Sequence, residues 1–135
     1  MALFASLLVA CLATFASALV VNTQFGPVDG GEDLLTGIHY WKGVPFASPP
    51  TGDLRWKAPQ DPRSWVDPIA AKDFASDCLQ WNSMPGANDP AEDCLYLNVW
   101  APKDANNLPV GIWFYGDHDG ILLSAIWTTH FSSRW

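Results

Sequence analysis

Apolar and β-branched residues along this chain come in short runs, each broken off by glycine, proline or asparagine, which is the rhythm of strands and turns. Val20-Val21-Asn22-Thr23 reads as a first strand, and Phe25-Gly26-Pro27-Val28-Asp29-Gly30-Gly31 reads as the turn that reverses it. Ile38-His39-Tyr40-Trp41 predicts a second strand, followed by Gly43-Val44-Pro45-Phe46. Pro49, Pro50, Pro59, Pro62 and Pro68 then keep the chain extended over a surface and out of a helix. Residues 95–100 and 110–115 predict two buried strands, joined by a loop or hairpin that holds Pro102 and Asn106-Asn107. No stretch repeats its apolar positions with the period of a useful amphipathic helix. Strands and loops dominate.

The first 18 residues stand apart. They hold 15 apolar side chains and no charge, and they end in Ala16-Ser17-Ala18, the small-x-small pattern a signal peptidase accepts. A membrane anchor is the rival reading, because apolar character continues through Leu19-Val20-Val21. Ser6, Thr14 and Ser17 interrupt the run and its length is short for a span, so cleavage is expected. The mature chain is then expected to be secreted, to begin at Leu19, and to have no membrane attachment.

Charge narrows the partners. Fourteen Asp and Glu stand against 7 Lys and Arg, a formal net charge of −7, so no positive face is available to grip nucleic acid. With 49% hydrophobic and 16% charged residues the chain is not a disordered acidic tail. Cys11 leaves with the leader, so Cys78 and Cys94 remain as an even pair in an oxidising compartment. A disulfide is favoured over two free thiols, and a single pair cannot complete a tetrahedral zinc site. The loop it closes holds Trp81, Pro85, Gly86 and Pro90. No Asn-x-Ser/Thr acceptor occurs in the chain.

Four motifs appear in order. Gly26-x-Val28-x-Gly30 comes first, and a segment from Gly43-Val44-Pro45-Phe46 through Pro49-Pro50 to Leu54-Arg55-Trp56 follows. Glu92-Asp93-Cys94-Leu95-Tyr96-Leu97-Asn98-Val99 is the third, and Leu108-Pro109-Val110 through Trp113-Phe114-Tyr115-Gly116 is the fourth. Together they resemble type-B carboxylesterases, the cholinesterase and lipase branch of the α/β-hydrolases. The resemblance covers residues 19–116 and implies an α/β fold of which this chain holds the N-terminal strands, incomplete and mostly β and loop. Residues 117–135 form a divergent tail of unknown status. The resemblance also implies a buried structural ion pair between Arg55 and Glu92 or Asp93, and a loop around Trp81 that borders the ligand site or forms a lid, where packing is the plainer role for that tryptophan. For the complete enzyme it implies hydrolysis of a small-molecule carboxylic ester, without a cofactor or metal.

The catalytic inventory is short. Ester hydrolysis in this fold needs a serine on a G-x-S-x-G elbow, a histidine base and an acid that orients it. No serine here has glycine two residues before it, so no catalytic residue is assigned. His39 is expected on a strand face, and His118 and His130 match no triad position. The family's oxyanion loop needs small residues so that backbone N–H groups can meet the developing charge. Tyr115-Gly116-Asp117-His118-Asp119-Gly120 keeps only Gly116 as a remnant, and a metal site at Asp117, His118 and Asp119 lacks further ligands. The rival functions are a non-catalytic binding or adhesion module and a short protein of unknown role. The strand at 110–115, left without neighbours, predicts that the chain folds poorly alone.

Overall fold

A computed structural model describes residues 19–79 and 89–114. Its strands are β1 (Leu19–Asn22), β2 (Pro27–Asp33), β3 (Ile38–Pro45), β4 (Ile69–Ala70) and β5 (Tyr96–Pro102), with one 3-10 turn at Gly52–Leu54. They form a sheet in the order β1-β2-β3-β5, antiparallel throughout, and β4 lies parallel beside β2.

The first hairpin turns earlier than the sequence predicts. Thr23 makes the reversal: its hydroxyl donates to the Gly26 carbonyl at 2.7 Å and accepts from the Phe25 and Gly26 amides. Pro27–Asp33 is then strand, where a turn was expected through Gly31. The glycines serve close approach. A Cβ on Gly30 would lie 2.6 Å from Trp41 Nε1 and would also strike the Tyr40 carbonyl oxygen. β2 pairs with β4 at Val28 and Asp29 and with β3 from Gly31 onward, so the partner changes at Gly30.

β3 runs longer than the four residues its apolar core suggests, because β5 pairs with it on the other side. The ladder slips between Trp41 and Val44, where Gly43 sits at φ +66°. That left-handed conformation suits glycine, and a Cβ there would press on the Asp73 carbonyl at 2.9 Å. Val28, Trp41, Val44, Ala71 and Ala101 form the buried core, with Leu19, Val21, Trp65, Ile69, Leu97 and Val99 packed around it. It is a small core, in which no large side chain among the described residues is fully buried.

The strand expected at 110–115 is not formed within its described part. Residues 110–114 pair with no strand among the described residues and are exposed, Phe114 at 84%. Apolar content alone does not make a strand; a neighbouring backbone must supply the hydrogen bonds. Among the described residues no helix is long and apolar enough to cross a membrane.

Candidate functional site

The second and third motifs meet in space. Gly43 N–H donates to Asn98 Oδ1 at 2.8 Å, which satisfies the amide that the bulge removes from the ladder. Phe46 N–H donates to the Leu95 carbonyl at 3.1 Å, just before β5 begins. Arg55 closes the far end: its Nε and a terminal nitrogen reach the two Glu92 carboxylate oxygens at 2.7 and 2.6 Å. This forked pair holds the Pro-Pro segment against the residues that lead into β5.

Charge at the clamp is set by that fork. The Arg55 hydrogen bond, ahead of its Coulombic pull, holds the Glu92 carboxyl below the usual carboxylate range, and Glu92 in turn pushes Arg55 further up. The pair is not buried as the resemblance implies: its side chains are 47% and 40% exposed. Asp93 takes no part in it. Its carboxylate accepts from Tyr96, whose phenol is pushed up by partial burial first and by that hydrogen bond and charge second.

Cys78 and Cys94 are disulfide-bonded, with Cα atoms 5.0 Å apart. Beside the bond, Cys78 bridges to Ala91 and the Ala91 amide donates to the Asp77 carbonyl at 2.9 Å. The enclosed loop is thus tied at its base, directly before Glu92. Trp81 within that loop, the Gly116 remnant, Asp117, His118, Asp119 and His130 lie outside the described residues. His39 is on β3 as expected, edge-on to Trp41 at 6.2 Å between ring centroids.

A cleft of about 180 Å³ runs beside the clamp, lined by Ser48, Pro50, Leu54, Pro59, Gln60 and Leu95 among others. Ser48 is no nucleophile there, since its hydroxyl donates to the Asp61 carbonyl at 2.7 Å. The cleft is largely apolar and has no acid–base pair. The role of Asn98 escapes the sequence reading, although a polar residue inside an apolar strand is the signal that would have found it.

The model of the carboxylesterase family matches residues 17–124. The chain belongs to the carboxylesterase family. It is 44% identical over 103 residues to fumonisin B1 esterase of Sphingopyxis macrogoltabida, covering 73% of this chain and 18% of that protein. It is 41% identical over 106 residues to para-nitrobenzyl esterase of Bacillus subtilis, covering 72% and 21%. Acetylcholinesterase of Electrophorus electricus matches at 41% over 114 residues, covering 73% and 18%. Among solved structures, a thermophilic pNB esterase superposes with a TM-score of 0.65 at 38% identity, over 73% of this chain and 21% of that one. The chain therefore spans about a fifth of the length of these relatives, and its sheet is the incomplete N-terminal region of an α/β-hydrolase fold.

Proposed function

We propose that these residues are the N-terminal scaffold of a secreted carboxylic ester hydrolase, and that the 135-residue chain does not hydrolyse esters by itself. The observation that carries the reading is the joining of two family motifs by Gly43–Asn98 and Arg55–Glu92, in a chain that contains no G-x-S-x-G. The scaffold positions strands; the nucleophile, acid and base come from sequence beyond these residues. Small-molecule esters are the substrate class of the whole enzyme. Secretion is supported by the apolar leader ending at Ala18 and by the Cys78–Cys94 bond.

A non-catalytic binding module is the second reading, favoured by Asp117 and His118 standing where small oxyanion-loop residues belong. The two readings part on activity. Purified chain is incubated with short and long p-nitrophenyl esters and with a serine-directed phosphonate, and background hydrolysis without labelling is expected. Turnover that titrates with the phosphonate and maps to a serine of this chain overturns the scaffold reading. A longer reading frame that adds a Gly-rich loop and a triad restores hydrolysis if the scaffold belongs to an enzyme, and leaves none if it belongs to a binding module.

A further inference from the structure

Leu19 is held at both of its backbone ends by side chains. Its nitrogen donates to Asp29 Oδ1 at 3.1 Å, and its carbonyl accepts from Trp41 Nε1, also at 3.1 Å. Asp29 is well placed for more than a neutral bond. It sits in the middle of β2, its side chain is only 22% exposed, and its second oxygen, Oδ2, accepts from Lys72 Nζ at 2.7 Å. Its own backbone is fixed as well, since β1 and β4 flank it and the Ala71 amide donates to its carbonyl at 2.8 Å. The carboxylate is thus anchored beside the nitrogen of the residue that follows the expected cleavage point.

Cleavage changes the chemistry of that nitrogen. Hydrolysis of the Ala18–Leu19 peptide bond by signal peptidase consumes one water. Ala18 departs with a carboxylate, and the Leu19 nitrogen takes up a proton to become an α-ammonium with three donors. We propose that leader removal turns the Leu19–Asp29 hydrogen bond into an ion pair, so that the new N-terminus locks the outer strand β1 onto β2. The inference rests on the secretory reading above. A charge-assisted bond is about twice as strong as a neutral one, and the partly shielded carboxylate limits screening. The 18 leader residues, while attached, leave the same position with one neutral N–H. Processing is then a folding step as well as an export step: the edge of the sheet gains its charged latch only when the leader is gone.

The test is competitive acetylation of the secreted, processed chain with limiting acetic anhydride, read by peptide mass spectrometry against the exposed Lys57 amine in the same tube. An ammonium held by a carboxylate gives up its proton reluctantly, so Leu19 should label several-fold more slowly than in Asp29→Asn. A second form that keeps Ala18 ahead of Leu19 leaves Asp29 intact but moves the amine about 3.8 Å away; it should label as fast as Asp29→Asn. Slow labelling confined to the chain that starts at Leu19 supports the latch. Equal rates in all three, or slow labelling of the extended form, overturn it. An N-terminal peptide that begins elsewhere defeats the cleavage reading itself, and with it the latch, a failure visible in the mass before any rate is compared.

Discussion

β5 and the segment that follows it are built from similar residues, and their fates diverge. Tyr96–Pro102 faces β3 along six registered positions, buries Asn98 and Ala101, and packs Leu97 and Val99 on the core. Val110, Ile112 and Trp113 carry as much apolar surface, yet they stand 49%, 62% and 57% exposed with no strand beside them among the described residues. The difference lies in what surrounds each run. Three separate ties hold the approach to β5: the disulfide, the Arg55 fork and the Phe46 amide on Leu95. Residues 110–114 have none of these, and a lone strand leaves its donors and acceptors to water. A run of apolar residues is a request for a partner.

The strongest way to break the contrast is to make β5 resemble its neighbour. Cys94→Ser opens the loop, and the chain-entropy account puts the loss at about 3 kcal/mol. Hydrogen exchange should then show β5 amides opening with the ease of residues 110–114, while unchanged protection of β5 would place its stability elsewhere. Gly30→Val drives a side chain into Trp41 and the Tyr40 carbonyl, at a cost of about 2 kcal/mol or more. Protection should fall across β2 and β3 together. Asn98→Ala leaves the Gly43 N–H without its acceptor, worth about 1 to 2 kcal/mol, and the loss should concentrate at the bulge.

Acid gives a gentler lever. Because Glu92 titrates below its ordinary value of 4.5 in the folded chain, its contribution is present above that value and is lost as pH falls through the lowered one. The effect is small because both side chains are half exposed. Protection of the 54–57 turn should therefore decline on acidification in the native chain and show no such step in Glu92→Gln. Smallest of all is Ile112→Ser, which should alter protection of the sheet by less than about 0.5 kcal/mol. It should instead lower self-association in light scattering, because it removes exposed apolar surface. A large loss of sheet stability there would show that the segment contributes to the fold after all.

Much of the sheet is legible in the residues because strand and turn preferences agree at Val20–Val21, Ile38–Trp41 and Leu97–Trp100. It fails where one residue type has two uses. Gly30 and Gly31 read as turn residues, and only the presence of Trp41 and Tyr40 above them shows that they clear space inside a strand. β4 has two residues and exists because β2 and the Lys42 amide, which donates to Ala71, reach it from nearby. Local preference cannot announce so short an element. The Cys78–Cys94 pair was readable by counting, whereas the family resemblance pointed to Arg55 with either Glu92 or Asp93, and only the fold shows Glu92 as the partner. The burial of that ion pair was not, since exposure depends on what else packs over the clamp.

The order of the strands bears on how such a chain acquires its shape as it emerges. β1, β2 and β3 are joined by short turns, so these hairpins can close within the first stretch to appear. β3 must then wait, because its other partner is far along the chain: His39 faces Ala101. Long-range closures are the slow ones. Until β5 arrives, the outer side of β3, with Trp41 and Val44, is an open edge beside a growing chain. The proline-rich path and the disulfide loop lie between the two strands, and once Cys78 and Cys94 are bonded the loop between them no longer adds to the distance that β5 must search. The most aggregation-prone moment of folding falls in that interval, before Cys94 has found Cys78.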